Sequence, residues 1–216
     1  LEAERAGAVV IGEDLGTFEQ WVQDVLAARG IMGTSILWFE RSPSVDGPRH
    51  QGEYRTLALS SVTTHDLPPT AGYLYGEHIA LRDRLGLLIR DTETENSEDL
   101  AWQNRILARI GEYGLFDGTA LDGHDFDGAA RDERGDITDL LVAMHRYIAG
   151  TPSALTCTSL VDMVGDIKAQ NQPGTTHDIY PNWCIPLCDA TNTPILIHDL
   201  PALPLFRAVA EASRRR

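Results

Sequence analysis

Two apolar runs in this chain end in acidic side chains, and each has the pattern of a parallel strand that gives way to a loop. Val9 to Ile11 is followed by Glu13, and Leu57 to Thr63 is followed by His65 and Asp66. Continuous β-branched runs predict strands that are buried on both faces. The carboxyl ends of parallel strands meet at one edge, which in (β/α) barrels is the catalytic face. Acids from two strands at that face are typical of enzymes that cleave glycosidic bonds.

The rest of the chain alternates between helical periodicity and short apolar strands. The pattern predicts a helix over Phe18–Arg29 with Thr17 as its N-cap, a strand at Ser35–Phe39, helices over Ala71–Leu88 and Leu100–Leu115 with a polar linker Asp91–Asp99 between them, an exposed acidic loop at Asp117–Asp136, a helix over Ile137–Ile148, a strand at Ser153–Thr158 and a last helix over Pro204–Ser213. Such alternation predicts an α/β fold with a parallel sheet and right-handed crossovers. Four strands make half of an eight-stranded barrel or a small open sheet, and composition does not choose between the two.

Charge and hydropathy exclude two classes of partner. The 216 residues carry a formal net charge of −14, which argues against nucleic acid because binding to that polyanion needs clustered basic side chains. Every apolar run is shorter than the roughly 20 residues of a membrane span. We therefore expect neither nucleic acid nor membrane as a partner.

The cysteines favour a reducing compartment and give weak support to a metal site. The chain has three, Cys157, Cys184 and Cys188, whereas secreted chains more often carry an even disulfide framework, so we expect a cytoplasmic protein. Cys184 and Cys188 lie near His177, but the second ligand pair of a structural zinc site is missing. We expect no metal.

Glu13 is the first catalytic candidate, with an alternative of equal weight. It directly follows an apolar strand pattern and lies between Gly12 and Gly16, which permit a tight turn and close approach of a ligand to the backbone. A carboxyl that is shielded by an apolar strand end can donate a proton at neutral pH. Alternatively, Glu13 and Asp14 are acids placed ahead of the helix near Thr17, where they favour its dipole.

His65 and Asp66 are the second candidate. At a strand end, the carboxylate can accept and the imidazole can donate hydrogen bonds from and to neighbouring sugar hydroxyls. The alternative is an Asx-type turn or a cap for the helix that follows. Among the aromatic side chains, Phe39 and Trp183 are the better candidates for sugar stacking because each lies at or near a loop.

Four segments of the chain resemble the amylomaltase family of 4-α-glucanotransferases. In the family's order, they are Ile11-Gly12-Glu13-Asp14-Leu15-Gly16, Ser35-Ile36-Leu37-Trp38-Phe39, Thr63-Thr64-His65-Asp66, and Pro173-Gly174-Thr175 through Tyr180-Pro181-Asn182-Trp183. The resemblance covers nearly the whole chain, which corresponds to the C-terminal part of such an enzyme. One departure is Cys184, which stands where the family typically has a basic residue.

The resemblance implies a fold and a set of roles. The fold is the C-terminal half, strands five to eight, of a (β/α)8 barrel with an inserted helical segment. Glu13 would be the general acid/base and Asp66 the transition-state stabiliser, while His65, Phe39, Asn182 and Trp183 would bind substrate. The nucleophilic aspartate would lie before this chain, and the substrates would be maltooligosaccharides and other α-1,4-glucans, with no cofactor.

The resemblance also implies a division of the chain. Residues 1–70 would carry the acid/base and stabiliser acids, residues 71–150 a mostly helical insertion, and residues 151–216 the last strand, a substrate loop and the C-terminal helix. The chain starts at Leu1 in what has the pattern of a helix already under way, so we expect a fragment that needs its N-terminal part. The alternatives are an α-glucan hydrolase of the same barrel type and a non-catalytic glucan-binding remnant.

Overall fold

A computed structural model describes residues 2–17 and 19–215 and shows a mixed α/β fold around a parallel sheet. The sheet contains β1 (Gly33–Ile36), β2 (Ala58–Ser61) and β3 (Leu155–Cys157), in that order. Its register pairs Gly33 with Ala58 and Leu59 with Leu155. Parallel strands in sequence order confirm the predicted α/β class.

Helices precede, separate and follow the strands along the chain. They are α1 (Glu2–Ala6), α2 (Gln20–Ala28), α3 (Thr70–Tyr75), α4 (Glu77–Arg84), α5 (Thr92–Gly111), α6 (Ile137–Ala149), α7 (Leu160–Val164) and α8 (Pro204–Ala212). Short 3-10 turns occur at Leu37–Phe39, Gln51–Glu53, Arg131–Glu133 and Ile197–Ala202. The main core lies between the sheet and the buried faces of α5 and α6, where Ile106, Leu107 and Met144 are fully buried. In the described part of the chain, no helix is both long and apolar enough to cross a membrane.

The segment before Glu13 is extended, but it is not the buried strand that the sequence predicted. It makes a single parallel bridge, between Ile11 and Met32. The N–H of Gly12 donates to the carbonyl of Met32 at 2.7 Å, and the N–H of Met32 donates to that of Val10 at 3.0 Å. Val10 is 44% exposed and Ile11 40%. Pairing on one side therefore aligns this segment with β1 and leaves its apolar side chains partly open.

Helix boundaries differ from the predicted ones where capping was misread. α2 begins at Gln20 with Glu19 as its N-cap residue, so Thr17 is not the cap, and the predicted first residue, Phe18, lies outside the described residues. The predicted 71–88 helix is divided in two at Gly76, which has a φ of +80°. Glycine readily adopts this left-handed conformation, which ends α3, and an added Cβ there would lie 2.8 Å from the Arg131 guanidinium.

The polar stretch 91–99 is helical, although the sequence predicted a linker. The Asp91 side chain accepts a hydrogen bond from the N–H of Thr94 at 2.8 Å and caps α5. Acids in the first turn also favour the helix dipole. The residues at the start of α5 are polar because they cap the helix and complement its dipole. The prediction of a linker was therefore wrong.

The stretch 117–136 consists of turns, as predicted, but it is not simply exposed. Leu121 and Phe126 are each 2% exposed and belong to the main core. Arg134 is 1% exposed, and its guanidinium donates to Gln103 at 2.8 Å and to the carbonyl of Leu74. The strand predicted at 35–39 is also shorter, because the chain leaves β1 after Ile36 and enters a 3-10 turn.

Candidate active site

The structure brings Glu13, His65 and Asp66 together. One ligand atom from each of these side chains lies within 4.8 Å of the others. The His65 Nε2 atom lies 3.4 Å from Asp66 Oδ2, and the two side chains are 58% and 46% exposed. Glu13 follows the single bridge at Ile11 rather than the predicted strand, and His65 and Asp66 follow β2, which ends at Ser61. The result is an open, acidic group of side chains at one edge of the sheet.

Glu13 is itself exposed, and its neighbour Asp14 anchors it. The Asp14 side chain is only 2% exposed and is paired with Arg55. It also accepts the N–H of Thr34 at 2.7 Å and the amide of Gln23 at 2.9 Å. Burial raises the pKa of Asp14, but the hydrogen bonds from Arg55, Thr34 and Gln23 outweigh it and hold that pKa below its usual value. The second acid of the pair thus fixes the turn while the first faces solvent.

The Asp14 anchor requires glycine at position 33. A Cβ on Gly33 would lie 2.8 Å from Asp14 Oδ2 and closer still to the Arg55 guanidinium. Since both charged groups reach the backbone at the start of β1, only a residue without a side chain leaves them room. The Glu13 turn is therefore coupled to the first strand of the sheet.

The loop that carries His65 and Asp66 is held by threonine hydroxyls. Thr63 Oγ1 donates to the carbonyl of Pro68 at 3.1 Å, and Thr64 Oγ1 accepts the N–H of Asp66 at 3.2 Å. The second contact is a turn made by the Thr64 hydroxyl, and it is not the Asx-type turn or helix cap that the sequence offered as an alternative for this motif. It does not compete with a functional role, because the Asp66 carboxylate stays free of the turn.

The sequence did not predict that Asn171 contacts Asp66. The Asn171 amide donates to Asp66 Oδ1 at 2.6 Å, across 105 positions of the chain. The only local signal is that Asn171 lies just before the turn at Pro173 and Gly174. A single amide side chain in a loop cannot reveal its partner, so this contact needed the fold.

Trp183 lies beside His65 in a strained conformation. Its ring centroid is 6.0 Å from that of His65, and the side chain is 58% exposed. Its φ is +60°, a region that bulky residues rarely occupy. The N–H of Trp183 donates to the carbonyl of Gln170 at 2.8 Å, which holds this geometry. Strain retained in an exposed aromatic residue favours a functional role.

The other two predicted substrate ligands have different surroundings. Asn182 uses its side chain within the loop: Oδ1 accepts the N–H of Gln172 at 2.7 Å, and Nδ2 donates to Thr175 Oγ1 at 2.9 Å. Phe39 is 51% exposed and lines a cleft of about 620 Å³. Asp14 and Glu40 both line this cleft, so the cleft adjoins the anchor of Glu13.

Glu13, His65 and Asp66 are also the group whose spacing could hold a metal ion. Carboxylate oxygens and an imidazole nitrogen suit several divalent ions. All three side chains are exposed, and the same groups suit sugar hydroxyls. The expectation that no metal is needed stays a prediction.

Comparison with known proteins identifies the family. The family model described as 4-alpha-glucanotransferase matches residues 1–191. The chain belongs to this family. A 4-alpha-glucanotransferase of Mycobacterium tuberculosis H37Rv is 45% identical over 99% of this chain and 28% of that protein. One from Haemophilus influenzae is 25% identical over 85% of the chain and 25% of that protein.

Solved structures of amylomaltases have the same fold. The crystal structure of amylomaltase from Corynebacterium glutamicum matches with a TM-score of 0.93 and 61% identity, over 100% of this chain and 30% of that one. Amylomaltase from Streptococcus agalactiae, solved in complex with acarbose, matches with a TM-score of 0.53 and 17% identity over 99% of this chain and 34% of that one. This chain therefore spans about a third or less of the length of these relatives.

Proposed function

We propose that this chain is the part of a 4-α-glucanotransferase that carries its acid/base residue. The observation that carries the proposal is the convergence of Glu13, His65 and Asp66 within 4.8 Å in a member of this family. The reaction transfers an α-1,4-glucan segment to the 4-hydroxyl of another glucan or of glucose. Neither cofactor nor metal has a role in it.

The proposed reaction has two displacements. In the first, an aspartate carboxylate bonds to the anomeric carbon while Glu13 gives its proton to the departing glycosidic oxygen. In the second, Glu13 takes the proton of the incoming 4-hydroxyl, whose oxygen replaces the aspartate. Asp66 stabilises the oxocarbenium-like transition state through the sugar hydroxyls. The open position of Glu13 leaves room for both the leaving and the attacking sugar.

His65, Phe39, Asn182 and Trp183 are the proposed substrate ligands. The exposed Trp183 ring offers a stacking surface beside His65. Asn182 would act through the loop that it holds together. The substrates would be maltooligosaccharides and other α-1,4-glucans.

The nucleophile is proposed to lie outside these 216 residues, and labelling can locate it. Retaining enzymes hold their two carboxyl groups about 5 Å apart, and Asp66 lies within that distance of Glu13. With a fluorinated donor sugar, the covalent glycosyl-enzyme intermediate forms faster than it is hydrolysed or transferred. The trapped sugar would therefore label the nucleophile in the whole enzyme. We expect the labelled peptide to lie outside this sequence, and a label on Asp66 would overturn the assignment.

The finer architecture is the C-terminal half, strands five to eight, of a (β/α)8 barrel. The partly exposed apolar residues Val9, Val10 and Ile11, with Trp21 and Val25 on α2, support the view that the N-terminal part of the enzyme covers this side. The division at residues 70 and 150 into acid-bearing, helical and last-strand regions follows from the same proposal. The three free cysteines agree with a cytoplasmic location.

The product distribution from maltotriose tests the function and its alternatives. The whole enzyme should form glucose together with chains longer than maltotriose, because a sugar hydroxyl is the acceptor. Glucose and maltose alone would indicate an α-glucan hydrolase of the same clan. Unchanged maltotriose with measurable binding would indicate a glucan-binding remnant.

A further inference from the structure

Two buried aspartates, Asp162 within α7 and Asp166 just after it, hold the two loops of the candidate site. Asp162 is 0% exposed and Asp166 is 1% exposed. Asp162 contacts the end of the loop with His65 and Asp66, whereas Asp166 contacts the loop that contains Trp183. Neither aspartate has a role in the reaction described above.

Asp162 accepts two hydrogen bonds from Thr70, the residue that follows the Asp66 loop. Its Oδ1 accepts the N–H of Thr70, and its Oδ2 accepts the Thr70 hydroxyl, both at 2.7 Å. Pro68 and Pro69 have no N–H, so Thr70 is the first residue beyond Leu67 whose amide can be held. Thr70 also starts α3, which the ring of Pro69 cannot cap. The carboxylate of Asp162 therefore fixes both the end of the loop and the start of the helix.

The surroundings keep Asp162 in place. His145 on α6 is 2% exposed, and its Nε2 atom lies 3.2 Å from Asp162 Oδ2. α3 packs so closely on the chain after α7 that a Cβ on Gly72 would lie 2.1 Å from the carbonyl oxygen of Ile167. The Asp162 carboxylate and the Thr70 backbone are thus held in fixed positions relative to each other.

Asp166 organises the second loop. Its Oδ1 accepts the N–H of Lys168 at 2.9 Å, and its Oδ2 accepts the N–H of Cys188 at 3.2 Å and the amide of Gln170 at 3.3 Å. The Gln170 carbonyl in turn accepts the N–H of Trp183. Both ends of the loop are therefore tied to one buried carboxylate.

The two loops meet at the site itself. Asn171 of the second loop donates to Asp66 of the first at 2.6 Å, and Trp183 lies against His65. We infer that Asp162 and Asp166 are positioning residues, which use α7 as a brace to set the transition-state loop and the aromatic loop against each other. The inference rests on the proposed function and assigns these two residues a part in it.

Separate effects on kcat and KM test the two halves of the brace in the whole enzyme. Asp162→Ala should lower kcat for transfer about 10- to 100-fold, because a misplacement of about 1 Å has effects of that order, with KM changed less than about threefold. Asp162→Asn should restore most of the rate, since an amide can accept from the Thr70 N–H and donate to its hydroxyl. Asp166→Asn loses an acceptor for Cys188 and should raise KM about tenfold with a smaller effect on kcat.

Double-mutant cycles show whether each aspartate acts through its loop. Asp162→Ala should add no further loss to Asp66→Asn, and Asp166→Asn should add none to Trp183→Ala. Fully additive losses, or kcat and KM per folded molecule equal to wild type, would overturn the inference. If Asp162→Ala does not fold, Thr70→Val removes one of the same bonds and should lower kcat, with Thr70→Ser restoring it.

Asp99→Asn is the matched control. Asp99 is a partly buried aspartate whose side chain is 10% exposed and paired with Arg131 at 2.7 Å, and its contacts are with α3, α4, α5 and the 3-10 turn rather than with either loop of the site. It should lower the unfolding midpoint while leaving kcat and KM unchanged. If Asp99→Asn changed kcat and KM as much as the substitutions of Asp162 and Asp166 do, the effects of those two aspartates would reflect general stability and not positioning of the loops. The wild-type enzyme's products from maltotriose test the function itself, so a failure of the function is visible separately.

Discussion

Glu13 and Asp14 are adjacent in the chain, but one faces solvent and the other is buried. We therefore expect them to have different roles. The sequence predicted a carboxyl shielded by the end of a strand, but Glu13 is exposed, so a substrate can reach it. Asp14 is buried, paired with Arg55 and saturated with donors. A single acid could not both anchor the turn and face a substrate.

Asp14 should make stability depend on pH in acid. Its pKa is lowered in the folded protein, so its contribution is present above the unfolded pKa of about 3.9 and is lost as pH falls through the folded value. Asp14→Asn should cost roughly 2 kcal/mol at pH 7, because Arg55 loses its partner. The difference from wild type should shrink below about pH 4.

Urea unfolding between pH 2.5 and 7 measures this effect. Asp24→Asn, at an exposed position on α2, is the control and should change stability by less than about 0.5 kcal/mol. A difference between Asp14→Asn and wild type that stays constant down to pH 2.5 would contradict the proposed anchor.

At the scale of elements, capping and packing decided what periodicity could not. The strong helical pattern at 137–148 predicted α6 nearly to the residue, and the apolar run at 57–63 predicted β2. The start of α5 was missed because its cap, Asp91, lies in a polar stretch. The break at Gly76 lies at a left-handed φ of +80°, and the Arg131 side chain packs against this glycine from far along the chain. The cap of α5 is a local contact that the hydrophobic pattern does not show, whereas the close packing around Gly76 involves a distant residue.

Gly72 and Gly111 give a paired test of helix packing. Gly72→Ala would place a Cβ against the backbone of Ile167, whereas at Gly111 the nearest atom would be on the Phe116 ring at an ordinary 3.7 Å. Gly72→Ala should destabilise the protein by about 3 kcal/mol through overpacking. Gly111→Ala should be neutral or stabilising by up to about 1 kcal/mol, since alanine favours helix.

Thermal unfolding of the two variants measures both effects in one experiment. Similar unfolding midpoints for Gly72→Ala and Gly111→Ala would mean that α3 is not packed against the chain after α7. That result would also remove one support of the brace around Asp162.

The resemblance to a family predicted more of the fold and of the site than the residue patterns did. The two acidic strand ends were enough to predict that Glu13, His65 and Asp66 meet, because parallel strands end at one edge. The contact of Asn171 with Asp66 spans 105 positions and that of Asp162 with Thr70 spans 92. No local pattern encodes such pairs, so the supporting residues of the site emerged only from the fold.

The apolar side formed by Val9, Val10 and Ile11 gives a test of the proposed barrel. Val10 is 44% exposed here, but in a closed barrel it would be buried by the adjoining strand. In the whole enzyme, Val10→Lys should therefore cost about 3 kcal/mol through lost burial and a buried charge. Ile89→Lys, at a position that is 93% exposed, should cost less than about 0.5 kcal/mol.

The unfolding midpoints of these two lysine variants test whether the N-terminal part of the enzyme covers Val10. Equal, small effects would mean that this side stays open in the whole enzyme and that the barrel proposal is wrong. A large loss confined to Val10→Lys would support the proposal that the N-terminal part covers it.

The most direct test of the account asks whether Glu13 supplies the proton to the leaving sugar. Glu13→Gln should lower transfer from maltotriose about 10²- to 10⁴-fold. With a maltosyl fluoride donor, whose fluoride leaves without a proton, the first turnover should slow less than about tenfold. Glu19→Gln, an exposed neighbour on the same stretch, should behave as wild type with both donors. An equal loss of rate with both donors, or near-normal transfer from maltotriose, would contradict the assignment of Glu13 as the general acid/base.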